Sequence, residues 1–182
     1  DPSDAALFAA VQASERVFHG NPSGIDAAAV LGSGLLRFRK ADGVARAPGA
    51  VPELVVVHSG EHGETLATVR AFARRFAEEP REAERRLEAI AGIVDRGLAA
   101  LAIGDVVALG ALMDENHAQL SWFGVSTAAL DRACRVARDA GALGAKLTGG
   151  GGGGCAIAVV RPGEKRRVAE SLEAAGFAVV PT

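Results

Sequence analysis

The sequence predicts an α+β fold in which helices cover one face of a small sheet. From Pro52 onward, short apolar runs typical of strands alternate with longer segments that have helical spacing. Their order is strand, several helices, strand, glycine loop, strand, helix, strand, which favours segregated helices on a sheet. A hydrophobic fraction of 49% and a length of 182 residues suffice to bury a core. We therefore expect one domain, or two small ones.

The first 49 residues are expected to form the remainder of a separate N-terminal domain, with a sequence pattern that differs from the rest of the chain. A helix is predicted over residues 5–18, where an apolar-rich run follows two capping residues. Residues 35–44 alternate loosely and then turn at Asp-Gly, so they predict a hairpin. The Pro-Gly-Ala of residues 48–50 resembles a linker. We therefore expect a boundary that separates residues 1–49 from residues 50–182.

The second part is expected to supply most of the core. Helical spacing of apolar residues alternates there with compact apolar strands, and a run of six glycines separates two of the strands. The predicted elements are strand 53–58, a helix with one apolar face at Leu87, Ile90, Val94, Leu98 and Leu101, a helix from Gly104, a helix capped by Ser126, strands 145–148 and 155–160, helix 164–174, and strand 177–180.

The charge balance argues against broad electrostatic binding, although a local basic patch is compatible with it. Twenty Lys and Arg residues against 22 Asp and Glu residues give a formal net charge of −2. Such a chain has no strong field to hold nucleic acid or an anionic membrane, so we expect neither as a partner. Only two cysteines are present, which is too few for a disulfide framework. These features favour the reducing cytoplasm.

Two carboxylates flank a glycine-rich turn near the start of the chain. Glu15 lies near the end of the first predicted helix, and Asp26 follows a turn that contains Gly20, Pro22 and Gly24. A stiff turn that aims one Asp and one Glu at a common space suits magnesium binding with proton abstraction. A capped turn without chemistry is the competing interpretation, because these residue types are common in turns.

The glycine run 149–154 stands between two predicted strands. Such a loop leaves backbone N–H groups free and allows a polyphosphate to approach closely. A flexible connection is the alternative, although linkers usually join domains rather than two core strands. The loop is not a P-loop, since no Gly-Lys-Ser/Thr follows the glycines.

The two glycine-containing segments together carry a family resemblance. Residues 19–26, His-Gly-Asn-Pro-Ser-Gly-Ile-Asp, and residues 144–155 resemble motifs of the GHMP kinases, most closely those of the mevalonate kinases. Residues 113–117 and 123–126 are similar to the segment that usually lies between these motifs. The resemblance covers nearly the whole chain in the right order. It implies a GHMP kinase-like fold whose C-terminal ferredoxin-like α/β sandwich follows the tail of the N-terminal domain.

The resemblance also implies a reaction and the residues that perform it. The reaction is ATP-dependent phosphorylation of mevalonate to 5-phosphomevalonate in isoprenoid biosynthesis, with Mg²⁺. Asp26 matches the catalytic base that takes the proton from the C5 hydroxyl, and Glu15 matches the acidic magnesium ligand. The remaining implied contacts are those of Ser23 with phosphate or metal, of Gly149, Gly150, Gly151 and Gly152 with the nucleotide phosphates, and of Thr65 with the substrate.

The departures from the family pattern lead to a further expectation. The Gly-Ser-Ser phosphate loop and the N-terminal lysine of the family have no match in this sequence. We therefore expect the chain to be the C-terminal part of a kinase, inactive by itself, and a homodimer is compatible with the resemblance. The alternatives are another GHMP kinase, acting on a sugar or on phosphomevalonate, and a non-catalytic module that binds an anion in the glycine loop.

Overall fold

The structure, a computed structural model, describes residues 10, 11, 13, 25, 29, 32, 34–39, 41–63 and 65–181. The chain divides into two compact units, Asp1–Val51 and Pro52–Thr182. Of the helix predicted over 5–18, the residues Ala10, Val11 and Ala13 are described, and they are helical. The remaining residues of that prediction lie outside the described part of the chain.

The described part of the first unit contains a β-hairpin. Strand β1 (Leu36–Arg39) pairs antiparallel with strand β2 (Gly43–Arg46). The Asp42 N–H donates to the Arg39 carbonyl at 3.1 Å, and Gly43 has a φ of +77°. A turn with this φ favours glycine. The hairpin predicted over residues 35–44 is therefore confirmed.

The second unit is an antiparallel sheet with five helices among its described residues. In chain order its elements are β3 (Leu54–His58), α1 (Thr65–Glu78), α2 (Pro80–Ile103), α3 (Val106–Trp122), α4 (Ala128–Asp139), β4 (Gly144–Leu147), β5 (Cys155–Val159), α5 (Lys165–Ala174) and β6 (Ala178–Val180). The strand order is β4-β5-β3-β6, and every neighbouring pair is antiparallel. None of the described helices is long and apolar enough to cross a membrane.

One face of this sheet forms the core together with α4 and α5. Alternate strand residues point to the same face of a sheet, and here they are buried among apolar residues of the two helices. Lys146 and Ile157, which point to the other face, are only partly buried. The α+β layout with helices on one sheet face is thus confirmed. The core residues are Val55, Val57, Ala145, Leu147, Ala156 and Ala158 from the strands and Leu130, Ala133, Cys134, Ala137, Val168 and Leu172 from the helices.

The helical region after β3 differs in detail from its prediction. It is broken at Pro80, which starts α2, so α1 and α2 are separate helices. The predicted apolar face of α2 is wrong in part, because Leu87 and Val94 are 39% and 46% exposed. The buried residues are Ala83, Ile93, Gly97 and Ala100. These residues are mostly small, which lets α2 approach α3 closely and leaves the larger side chains beside the contact.

The N-cap of α4 is Thr127, so the predicted cap at Ser126 is wrong. The Thr127 hydroxyl accepts the Leu130 N–H at 3.3 Å, as an N-cap side chain does. Ser126 instead donates its hydroxyl to the Asp131 carboxylate at 2.6 Å. Both residue types cap helices well, so the sequence alone does not decide between neighbours.

Helix α3 crosses β4 at two glycines. A Cβ on Gly110 would fall far inside van der Waals contact with the Leu143 carbonyl, and one on Gly144 would do the same with the Gly110 carbonyl. Only glycine permits this approach of a helix backbone to a strand backbone. The contact places α3 along the edge of β4, the strand that leads into the glycine loop.

Candidate functional site

The glycine run forms a sharply folded loop between β4 and β5. Thr148 N–H donates to the Cys155 carbonyl at 2.9 Å and closes its base. Most positions of the loop have a backbone conformation that L side chains rarely adopt, so the run of glycines is a conformational requirement. The φ values are +79° at Gly149, +75° at Gly151, +71° at Gly152, +128° at Gly153 and +76° at Gly154.

Backbone hydrogen bonds attach this loop to two other segments. Gly152 N–H donates to the Val125 carbonyl, between α3 and α4, at 2.8 Å. Gly154 N–H donates to the Glu61 carbonyl at 2.8 Å, and Ser59 N–H donates to the Gly154 carbonyl at the same distance. The loop is therefore part of a built structure together with the segment after β3, rather than a flexible connection.

The loop has one packed side and one open side. A Cβ on Gly151 would overlap the Val125 carbonyl, and one on Gly153 would lie 2.9 Å from the Glu61 carbonyl oxygen. A Cβ on Gly149 would meet nothing within 4 Å. Space for a ligand thus exists at the start of the loop.

The open side carries backbone donors. Gly149 and Gly150 are exposed, whereas Gly151 and Gly153 are buried. Within the described residues, the N–H groups of these four glycines donate to no protein acceptor. Successive backbone N–H groups in turn conformations form concave sites for anions. The N–H groups of Gly152 and Gly154 are engaged by protein carbonyls, which departs from the expectation of a loop with free N–H groups.

Three of the residues predicted for the site belong to the first unit. Glu15, Ser23 and Asp26 lie outside the described residues, so their roles stay predictions. Thr65 begins α1, two residues after Gly63, and a Cβ on Gly63 would lie 2.9 Å from the Gly151 carbonyl oxygen. The start of α1 therefore adjoins the loop through the backbone, and the role of the Thr65 side chain stays a prediction.

A buried polar network stands beneath the loop. His117 on α3 places Nε2 3.0 Å from the Asp131 carboxylate, and its Nδ1 accepts the Leu147 N–H at 3.2 Å. Because Nδ1 is an acceptor, the neutral ring carries its proton on Nε2. Burial lowers the pKa of His117, although the Asp131 carboxylate opposes the shift. The ring is thus neutral at pH 7.

A second side chain of α3 holds the same strand. The Asp114 carboxylate accepts the Ala145 N–H at 2.9 Å and a guanidinium N–H of Arg138 at 3.0 Å. Sequence reasoning did not identify these contacts of Asp114 and His117. Their spacing of three residues places them on one helix face, and this spacing is the sequence feature from which a shared role could have been predicted.

The two cysteines do not form a reactive pair. Cys134 is fully buried, and burial raises the pKa of its thiol to about 12. A thiol with that pKa stays protonated and is a poor nucleophile at neutral pH. Cys155 begins β5 and is partly buried. Among the described residues, no group of His, Cys, Asp or Glu side chains is arranged to hold a metal ion.

Comparison with known families finds a match within the second unit. Residues 98–178 match the family described as GHMP kinases C terminal. The matched range begins within α2, contains α3, α4, β4, β5 and α5, and ends at the start of β6. It therefore includes the glycine loop and the network beneath it.

Two curated relatives and one solved structure extend the likeness to the first unit. The mevalonate kinase of Pyrococcus abyssi is 36% identical over 167 residues, which are 89% of this chain and 49% of the relative. The Homo sapiens mevalonate kinase is 33% identical, covering 92% of this chain and 45% of the relative. The chain spans about half the length of the curated relatives it matches. The structure of L. major mevalonate kinase in complex with R-mevalonate superposes with a TM-score of 0.89 at 30% identity, covering 96% of this chain and 55% of that one.

Proposed function

We propose that the chain belongs to the GHMP kinases, whose C-terminal domain matches residues 98–178, and that it serves the ATP-dependent phosphorylation of mevalonate to 5-phosphomevalonate. The observation that supports the substrate is the joint sequence and structural likeness to mevalonate kinases. Because the chain spans about half the length of those relatives, the activity is proposed for the product of the complete gene.

The glycine loop is proposed to contact the nucleotide phosphates. Its free N–H groups at the exposed Gly149 and Gly150 and the open space beside Gly149 suit a polyanion, and the N–H of the buried Gly151 is likewise without a protein acceptor among the described residues. Gly152 is proposed to border the same phosphates, although its N–H is engaged by the Val125 carbonyl. The donors are fixed before binding, so they stabilise charge without reorganisation.

Asp26 is proposed as the base for the acceptor hydroxyl. An aspartate of ordinary pKa, about 3.9, is ionised at neutral pH and can accept a proton. As the C5 oxygen bonds to the γ-phosphorus, its proton passes to Asp26, the bond to the bridging oxygen breaks, and ADP leaves with the electron pair. Since this transfer depends mainly on positioning and electrostatics, one oriented base suffices.

Glu15 is proposed to hold the Mg²⁺ ion, with Ser23 beside it. The ion supplies positive charge to the phosphate oxygens. No alternative carboxylate cluster for the metal exists among the described residues. We also propose that the enzyme acts in the cytoplasm, where both cysteines would stay reduced. Thr65 is proposed to lie near the substrate.

The decisive test is an assay of the complete gene product. We expect ADP release to depend on mevalonate and Mg²⁺, with much lower rates for phosphomevalonate, galactose and homoserine. A higher kcat/KM for one of the other three acceptors would reject mevalonate as the substrate and retain the kinase class. Phosphate binding without ADP release on any of the four would favour the anion-binding module.

Replacing Glu15 by glutamine is expected to raise the Mg²⁺ concentration for half-maximal rate about tenfold or more. Loss of the negative charge weakens a hard-cation site, and even outer partners of a metal carry effects of this order. The measurement is a Mg²⁺ titration at saturating ATP and mevalonate. The control is Glu173→Gln, which removes an exposed carboxylate on α5 and should leave the titration unchanged. An unchanged titration for Glu15→Gln would remove the metal role.

A further inference from the structure

Strand β4 lies at the edge of the sheet, where backbone N–H groups have no neighbouring strand to bind. Its Ala145 and Leu147 are nevertheless buried, and a buried N–H without an acceptor is costly. Both N–H groups are taken by side chains of α3, Ala145 by Asp114 at 2.9 Å and Leu147 by His117 Nδ1 at 3.2 Å. Helix α3 therefore supplies the acceptors that a further strand would supply.

The His117 ring is held on its other side by α4. Its Nε2–H donates to Asp131 at 3.0 Å, and the same carboxylate oxygen accepts the Ser126 hydroxyl at 2.6 Å. The Cys134 sulfur lies 4.0 Å from Nδ1. The ring thus connects α4 to the last residue of β4, and Gly149 follows only two residues later.

We propose that His117 is a positioning residue for the glycine loop, acting through the hydrogen bond from the Leu147 N–H to its Nδ1 atom. This bond fixes the end of β4 from which the loop departs. The catalytic consequence rests on the proposed function, whereas the effect on the loop itself does not. Asp114 performs the corresponding task at Ala145, farther from the loop.

Two variants separate the contacts of the ring. His117→Asn places a side-chain oxygen near the position of Nδ1, so it can accept the Leu147 N–H but is too short to reach Asp131. His117→Gln places its amide nitrogen near the position of Nε2, so it can donate to Asp131 but offers Leu147 no acceptor. Both are neutral and of similar polarity, and each is the control for the other.

The first measurement is amide hydrogen exchange, which requires no activity. In His117→Gln we expect the hydrogen-bonded amides of Leu147 and Gly152 to exchange about tenfold faster, since one net hydrogen bond carries an effect of about this order. In His117→Asn we expect exchange close to that of the parent chain. Equal exchange in the two variants would overturn the proposal.

The pH dependence of amide exchange distinguishes a ring that accepts the Leu147 N–H from a ring that serves only in packing. A second proton must go to Nδ1, where it opposes the Leu147 N–H, so protection of that amide should fall on acidification. The groups that face the ring are Asp131, Cys134 and Arg138 from α4 and Lys146 from β4. Since the pKa of His117 is lowered, the loss should occur below pH 6.5, the ordinary value, and His117→Asn should abolish it.

The free energy of unfolding should depend on pH in the same direction as the protection of the Leu147 amide. Between the lowered pKa and pH 6.5 the unfolded chain binds more protons than the folded one, so the free energy of unfolding falls as the pH falls through this window. His117→Asn should lack this slope. A parent chain with no such slope, and with Leu147 protection independent of pH, would contradict the assigned ring state.

The kinetic measurement uses the complete gene product. We expect His117→Gln to raise the KM for ATP about tenfold with a smaller change in kcat, and His117→Asn to behave as the parent does. If the parent product phosphorylates none of the acceptors, the proposed function fails while the exchange data still decide the role of His117. If exchange behaves as expected but the two variants share one KM for ATP, the positioning role in catalysis is wrong.

Discussion

Replacing Asp26 by asparagine in the complete gene product is expected to lower kcat for mevalonate phosphorylation about 10²- to 10⁴-fold. Asparagine keeps the size and the hydrogen-bonding reach of aspartate but cannot accept a proton. The loss should appear in kcat and kcat/KM equally, which is the pattern of an interaction made only in the transition state. The KM for ATP should change little, because the proposed base contacts the acceptor hydroxyl, whereas the proposed contacts to the nucleotide phosphates come from the glycine loop.

The matched control is Asp42→Asn in the hairpin of the same unit. Asp42 is exposed and pairs with Arg39 at 3.3 Å, so its replacement should leave kcat unchanged. Steady-state rates of both variants at saturating substrates, together with unfolding curves, separate lost chemistry from lost structure. A normal kcat for Asp26→Asn would show that another group accepts the proton, without affecting the family assignment.

Much of the fold could be predicted because its signals are local. The apolar runs around Val55 and Ala158 and the turn at Gly43 depend on neighbours within a few residues, and these elements end within one or two residues of their expected bounds. The buried stripe of α2 could not be predicted in this way. It runs through Gly97 and Ala100 rather than Leu87, because the small residues allow contact with α3, and that partner is not encoded within the helix.

The candidate site likewise combines local features, which the sequence predicts, with contacts between remote segments, which it does not predict. The six glycines predict a loop that only glycine can form, and five of the six do have positive φ. Which N–H groups stay free depends on the carbonyls of Glu61 and Val125, which are remote in sequence. The contacts of Asp114 and His117 with β4 required knowing that β4 is an edge strand, which follows from the topology of the whole sheet.

The packed and open sides of the glycine loop predict unequal costs for two alanine substitutions. Gly149 and Gly151 have nearly the same φ, +79° and +75°, so alanine should cost about 1–2 kcal/mol at each through its strained backbone. Only at Gly151 does the added Cβ also overlap the Val125 carbonyl. We therefore expect Gly151→Ala to lower the free energy of unfolding by about 1–3 kcal/mol more than Gly149→Ala, the range typical of overpacking.

Urea unfolding of the 182-residue chain, followed by the fluorescence of its single tryptophan, measures this difference. Trp122 ends α3 three residues before Val125, so its emission should also report a displaced loop contact. Because the two substitutions share residue type and loop, and their positions have nearly the same φ, their difference isolates the packing of the loop against the segment between α3 and α4. Equal costs would mean that the loop moves freely from Val125, and a preformed set of phosphate donors would then lose its physical basis.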